Sequence, residues 1–145
     1  MLVKINGSSL QGLDAIPVTI EVNAAPGFKF HLVGLPDNAV KESHERVVAA
    51  IQNSGFKFPN KQLTINMAPA DVKKEGSGFD LPMAIGILAT EGVVKQDLLA
   101  STMLVGELSL DGSLQPVRGA LPIAVKAREM GMRQLIVPRQ NIREA

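Results

Sequence analysis

Apolar and polar residues alternate along some segments of this chain and recur with a helical period along others. Alternation predicts strands at residues 16–22, 28–34 and 62–68, and two further strands are predicted at residues 102–110 and at the short apolar segment 133–138. Apolar positions spaced three and four residues apart predict a helix at residues 38–53, and apolar residues on all sides predict a buried helix at residues 81–90. A last helix is predicted at residues 119–130, with Pro122 in its first turn and Gly131 after its end. The turn "AAPG" suggests that residues 16–22 and 28–34 form a hairpin, and the Asp111–Gly112 pair predicts a second hairpin after residues 102–110.

This succession of strands and helices favours a two-layer α/β or α+β domain with a mixed sheet. The hairpin at Asp111–Gly112 excludes a purely parallel sheet. No linker or low-complexity stretch interrupts the chain, so we expect residues 1–145 to form a single domain. In the helix at 38–53, Asp37 or Asn38 is placed to act as the cap, and Arg46 is expected to pair with Glu42 on the solvent face.

The loop "KKEGSGFDLP" at residues 73–82 leads into the most apolar helix of the chain. Its residues are compatible with a phosphate cradle, with a nucleophile at Ser77, or with a tight turn only. In the last case Gly76 and Gly78 make the turn, Asp80 caps the helix, and Pro82 occupies its first turn.

The residues argue against most catalytic uses of this loop. The chain contains no Gly-Lys dipeptide and therefore no Walker loop, and Leu81 stands where a dinucleotide fingerprint requires glycine. Lys73 and Lys74 are expected to lie exposed and protonated, which makes them poor bases for Ser77. His31 and His44 are expected to be surface residues, and no spacing of His or Cys indicates a metal site.

Composition indicates a globular protein, with 46% hydrophobic and 20% charged residues. No segment is apolar enough to span a membrane, there is no cysteine, and a cytoplasmic location is expected. Charge is distributed unevenly: residues 1–112 carry 9 Lys/Arg against 12 Asp/Glu, whereas residues 113–145 carry 6 against 2. The basic end is either a solvated surface or a surface that follows a phosphate backbone.

Three long segments resemble one known family. They contain "VGLPDNAVKES", "APADVKKEGSGFDLP" and "VGELSLDG", and they resemble the N-terminal domain of the YifB/ComM family of magnesium-chelatase-related AAA+ ATPases. The resemblance covers residues 8 to 140. It implies a fold like the second domain of a small-subunit ribosomal protein, the proteolytic domain of Lon and the C-terminal domain of RadA. It also implies a longer parent protein, whose ATPase module would bind ATP and Mg²⁺, while this domain holds no cofactor.

The implied relation to Lon bears on Ser77, because Lon-type proteases use a serine–lysine dyad. Aligned with the Lon motifs, the serine position falls on Gly78, and Ser77 stands one residue earlier, at a proline position. The lysine position falls on Leu121. The resemblance therefore implies that this domain is not an enzyme.

The resemblance implies a non-catalytic accessory domain of a ring-forming ATPase, expected to be a hexamer, that acts on DNA in branch migration during natural transformation. The domain would aid ring assembly or contact DNA. The alternative is a purely structural protein-interaction module, and nothing in the residues supports a chelatase-like porphyrin site. The candidate DNA contacts are Lys73, Lys74, Arg118, Lys126, Arg128 and Arg133.

Overall fold

The computed structural model describes residues 1–145. Eight strands form: β1 (Leu2–Gln11), β2 (Asp14–Ala25), β3 (Phe30–Val33), β4 (Gln62–Ala68), β5 (Thr102–Leu104), β6 (Glu107–Leu108), β7 (Leu114–Gln115) and β8 (Gln134–Ile136). Four α-helices accompany them: α1 (Asn38–Lys41), α2 (Ser43–Asn53), α3 (Asp80–Thr90) and α4 (Ala120–Glu129). Short 3₁₀ turns lie at Leu99–Ser101 and Arg139–Asn141. No helix is long and apolar enough to cross a membrane.

Six strands form one mixed sheet in the order β3-β4-β2-β1-β5-β8. The pairs β1–β2 and β2–β4 are antiparallel, and the pairs β3–β4, β1–β5 and β5–β8 are parallel. Strands β6 and β7 form a separate two-stranded ribbon. The predicted α+β fold class with a mixed sheet is confirmed.

Side chains alternate between the two faces of the sheet and divide the core into two clusters. The larger cluster joins α2 and α3 to one face and includes Ile5, Ile20, Ile87 and Leu104. Met103, adjacent to Leu104 in β5, belongs instead to a smaller cluster with Ile123 and Ala127 of α4, together with Ala15 and Val105. Helix α4 therefore covers the opposite face of the sheet from α3.

The predicted hairpin between residues 16–22 and 28–34 is wrong. Strand β2 pairs with β1 through a two-residue turn at Gly12 and Leu13, and β3 runs parallel to β4 with Phe30 opposite Leu63. The turn was missed because Gly-Leu is not a typical hairpin sequence, although Gly12 adopts the positive φ (60°) that such turns require. Phe28, two residues before the start of β3, is 84% exposed.

Two predicted elements are broken in the structure. The strand predicted at 102–110 ends at Leu104 and resumes as β6, because the Gly106 N–H donates to the Gly78 carbonyl (3.0 Å) instead of continuing the sheet. The helix predicted at 38–53 divides into α1 and α2 at Glu42. The hairpin after residues 102–110 is confirmed as the β6–β7 ribbon, with Gly112 at φ 91° in its turn.

Candidate functional site

The loop before α3 is fixed to the segment that leads into α1. The Lys74 N–H donates to the Leu35 carbonyl and the Asp37 N–H donates to the Lys74 carbonyl, each at 2.9 Å. The Asp37 carboxylate caps α1 by accepting from the Val40 N–H (2.8 Å), as one of the two predicted caps, and also accepts from the Gly76 N–H (3.1 Å). Asp37 thus holds the loop and the helix start together.

Lys74 is buried, which contradicts its expected exposure as a DNA contact. Its side chain is fully inaccessible to solvent, and its ammonium donates to the Pro69 carbonyl. Burial lowers the pKa of the Lys74 amine below its ordinary value, and Asp71 opposes this shift by favouring the charged form. The adjacent Lys73 is exposed, as expected.

Asp80 does not cap α3, and the predicted cap is wrong. The helix has no side-chain cap at its N-terminus; instead the fully buried Asp80 carboxylate binds Arg46 from α2. Arg46 donates through Nε to Oδ2 (2.6 Å) and through a terminal nitrogen to Oδ1 (3.1 Å), and the Leu108 N–H donates to Oδ2 (3.0 Å). The expected Arg46–Glu42 pair is absent, because a buried carboxylate needs a charged partner more than an exposed one does.

This ion pair joins three elements of the fold. Arg46 also donates to the Ala39 carbonyl (2.8 Å) and to the Ser43 hydroxyl (3.2 Å), so that its guanidinium links α1, α2 and α3. The hydrogen bond to Asp80 raises the pKa of Arg46, although partial burial of the side chain opposes the shift. Asp80 in turn holds β6 through the Leu108 N–H. The charged pair therefore holds together α1, α2, α3 and β6, which are the elements next to this loop.

The remaining loop residues have structural roles of different kinds. Gly76 has a positive φ of 84°, which favours glycine. Gly78 does not, and a Cβ placed on it would only come into ordinary contact with Val117 (3.7 Å). Pro82 is buried in the first turn of α3, where a missing N–H is tolerated. Of the two glycines, only Gly76 is required by backbone conformation.

Ser77 donates a hydrogen bond to the carboxylate of Glu107 at the start of β6. No histidine or lysine lines the cleft into which Ser77 faces. Leu121, which aligns with the Lon lysine, lies in a different groove with Leu13 and Val125. Ser77 is therefore hydrogen-bonded to a carboxylate, and the lysine of a Lon-type dyad has no counterpart in the lining of this cleft.

A cleft of about 520 Å³ lies beside this loop. Its walls come from four places in the chain: the end of β1, the loop at residues 75–78, the β5–β6 connection, and the segment that enters α4. The lining residues are Ser8, Ser9, Leu10, Asp37, Glu75, Gly76, Ser77, Gly78, Val105, Glu107, Pro116, Val117, Arg118 and Ile123. Three acidic residues and one arginine line the cleft, so its charged lining is predominantly acidic.

The candidate DNA contacts do not all lie at this cleft. Arg118, in the segment that enters α4, lines the cleft together with the loop at residues 75–78. Lys126 lies in another groove and pairs with Glu129 (3.4 Å). Arg128 and Arg133 are exposed and form no ion pair.

Three residues of the site escaped the sequence reasoning. Arg46 was placed on the solvent face by helical periodicity, and Glu107 was treated as an ordinary strand residue. The hydroxyl of Ser9 is buried without a hydrogen-bond partner. Only Glu107 carried a usable signal, because it is a charged residue within the motif "VGELSLDG". His44 was also expected on the surface, but it is half-buried and stacks on Phe30 with 4.0 Å between ring centroids.

The structure is an α+β domain of the class that the motifs implied. It contains a six-stranded mixed sheet, a buried α3 and a glycine-containing loop next to an acidic cleft. Residues 20–141 match the family described as subunit ChlI of Mg-chelatase, and the chain belongs to this family. The resemblance identified from the sequence motifs is thereby confirmed.

Several relatives are similar over most of the chain. Competence protein ComM of Haemophilus influenzae is 47% identical over 137 residues, which cover 92% of this chain and 26% of ComM. The uncharacterized protein YifB of Escherichia coli is 45% identical over 131 residues, covering 90% of this chain and 26% of YifB. Lon protease 2 of Bacillus subtilis is 28% identical over 101 residues, covering 70% of this chain and 18% of the protease. The chain thus spans about a quarter of ComM and YifB.

Proposed function

We propose that residues 1–145 are a non-catalytic accessory domain of a larger, ring-forming AAA+ ATPase that acts on DNA. The similarity to competence protein ComM carries this proposal, since it extends over 92% of the chain but only 26% of ComM. The remaining part of such a protein would supply the Walker motifs and bind ATP and Mg²⁺. The ring would be a hexamer, and the domain would aid its assembly or contact its DNA.

The absence of a Lon-type dyad supports the non-catalytic part of the proposal. Gly78 stands at the serine position and Leu121 at the lysine position, and Ser77 contacts a carboxylate instead of an amine. A test is to incubate the chain with unfolded casein and with a fluorescent phosphonate that labels activated serines. Cleavage or labelling that depends on Ser77 would refute this part of the proposal.

The exposed cations of residues 113–145 support a DNA contact. Arg118, Arg128 and Arg133 are exposed, Lys126 is half-buried, and residues 113–145 carry an excess of four positive charges. Lys73 remains a candidate, whereas the buried Lys74 does not. Each phosphate contact releases counterions, so binding must weaken as salt rises.

The experiment measures binding of duplex and branched DNA to the chain by fluorescence anisotropy over a salt series. The double variant Arg128→Ala/Arg133→Ala should lower both the affinity and the salt slope, the slope by about two. Lys95→Ala, which removes an exposed lysine from the acidic part of the chain, serves as the matched control. Absence of binding at low salt, or binding that does not depend on salt, would refute the DNA contact.

An apolar groove favours the alternative, a structural module that contacts protein only. Leu13 (90% exposed), Leu121 (54%) and Val125 (48%) line a groove between the β1–β2 turn and α4. If this groove is an assembly surface, Leu121→Asp should lower the mass of the oligomer in sedimentation experiments, whereas Leu110→Asp, at another exposed leucine, should not. Oligomers without DNA affinity would favour this alternative.

A further inference from the structure

Strand β1 extends past its neighbour β5 and leaves one side of its last residues without a strand partner. Pairing between the two strands is limited to Asn6 and Met103. Beyond that point the Val105 N–H donates to the Ile136 carbonyl (3.1 Å) and the Gly106 N–H to the Gly78 carbonyl (3.0 Å). The chain after β5 therefore turns away from β1 and opens the acidic cleft.

The register with β2 shows which main-chain groups of β1 face this opening. Met1 and Ala24 bond each other in both directions, at 2.8 and 2.9 Å, so the odd-numbered residues of β1 bond β2. Because bonding alternates along an antiparallel pair, the even-numbered residues direct their N–H and C=O groups to the other side. Asn6 uses this side to meet β5, and Ser8 and Leu10, which line the cleft, follow it.

A buried hydroxyl in the same wall lacks a partner. Ser9 is 3% exposed, lines the cleft, and its Oγ has no hydrogen bond. Buried polar atoms in native proteins nearly always have a partner, so this hydroxyl indicates a polar group that the cleft receives. The neighbouring Ser8 hydroxyl, in contrast, already donates within the hairpin.

The charges of the cleft determine which kind of molecule it favours. Asp37, Glu75 and Glu107 outnumber the single cation Arg118, and a phosphate backbone would meet repulsion here. An unpaired strand side matches the alternating donors and acceptors of another extended main chain. A peptide with basic side chains satisfies both requirements.

We propose that this cleft binds an extended peptide segment that carries Lys or Arg, as an added strand beside residues 8–10 of β1. The peptide main chain bonds Ser8 and Leu10, a basic side chain approaches Glu107, and the Ser9 hydroxyl gains a partner. The proposal does not depend on DNA binding or on ring assembly, so either can fail without the other.

The test uses the ¹⁵N-labelled 145-residue chain and short synthetic peptides in NMR titrations. The first probe is acetyl-Ala-Lys-Val-Lys-Ala-amide, the second replaces both lysines by glutamate, and the third carries an N-methyl group on the valine. We expect saturable shifts at the amides of Ser8, Ser9 and Leu10 with the lysine peptide. The glutamate and N-methyl peptides should bind at least ten-fold more weakly.

A variant of the cleft provides an independent readout. Glu107→Gln should weaken the lysine peptide at least five-fold, whereas Glu45→Gln, at an exposed glutamate without an ion pair, should leave its affinity unchanged. Equal binding of the lysine and glutamate peptides would overturn the proposal, as would an N-methyl peptide that binds normally or the absence of saturable shifts at millimolar peptide. Shifts of these same amides by duplex DNA alone would assign the cleft to nucleic acid and also overturn it.

Discussion

Removal of the Asp80 carboxylate should destabilise the protein more than loss of a helix cap would. In Asp80→Ala, Arg46 loses two hydrogen bonds and the Leu108 N–H loses its acceptor. Breaking a buried ion pair by removing one partner costs about 3–5 kcal/mol. The Arg46 side chain retains 21% exposure, so water relieves part of its cost, while the orphaned N–H adds about 1–3 kcal/mol. We expect a total loss of about 3–5 kcal/mol in the free energy of unfolding.

The assay is urea unfolding followed by circular dichroism, with thermal unfolding as a second measurement. For a chain of this size the loss corresponds to a fall in Tm of roughly 10–15 °C. Asp80→Asn keeps an acceptor for the Leu108 N–H and should lose less than Asp80→Ala. Asp97→Ala removes an exposed aspartate without an ion pair and should change stability by less than about 0.5 kcal/mol.

A double-mutant cycle isolates the pair from other effects of the substitution. Arg46→Met should be costly alone, and the double variant Arg46→Met/Asp80→Ala should cost less than the sum of the two single variants, because neither charge is then left unpaired. An Asp80→Ala variant within about 1 kcal/mol of Asp97→Ala, or an additive cycle, would show that Arg46 and Asp80 do not stabilise the fold as a buried pair.

Three further predictions concern packing, the loop and pH. Gly86→Ala places a Cβ 2.7 Å from Val22 Cγ2. The destabilisation by overpacking, about 1–3 kcal/mol, should exceed the gain of about 1 kcal/mol from the higher helix propensity of alanine. A variant that is more stable than the parent in urea unfolding would contradict this prediction. Ser77→Ala removes one half-buried hydrogen bond to Glu107 and should cost about 0.5–1.5 kcal/mol in the same assay, so a loss as large as that of Asp80→Ala would show a greater role. The folded-state pKa of Lys74 is lowered, so the unfolded chain binds more protons between that pKa and the ordinary value of 10.5, and stability should rise with pH across this interval. Lys74→Met should reduce that rise in urea unfolding at several pH values, and an unchanged pH dependence would contradict the assignment.

Local patterns predicted those parts of the fold that depend on near neighbours. Strand β4 was predicted at residues 62–68 and lies there, because its alternating residues bury one set of side chains. The continuous apolar run of α3 correctly indicated a helix buried on most sides. Asp37 was one of two predicted caps, with Asn38 as the other, and it is the one that caps the helix, since capping depends on residues three apart.

Long-range choices were not predictable from the same patterns. Asp80 lies where a helix cap is expected. Its carboxylate instead binds Arg46, 34 residues earlier in the chain, because a buried carboxylate needs a charged partner. Lys74 was expected to be a solvated loop lysine, but its main chain forms a parallel bridge with Pro36 and its side chain is buried. The cleft depends on the point at which the chain after β5 separates from β1. The hydrogen bond from the Gly106 N–H to the Gly78 carbonyl determines that point. The periodicity of apolar residues in the sequence does not indicate where β5 separates from β1.

DNA-stimulated ATP hydrolysis should be measured on the proposed full-length ATPase and on a variant of it that lacks residues 1–145. We expect both forms to hydrolyse ATP, since this domain carries no Walker motif. Stimulation by branched DNA should fall at least ten-fold when the domain is removed, because either ring assembly or DNA contact is lost. Equal stimulation of the two forms would show that the domain aids neither ring assembly nor DNA contact.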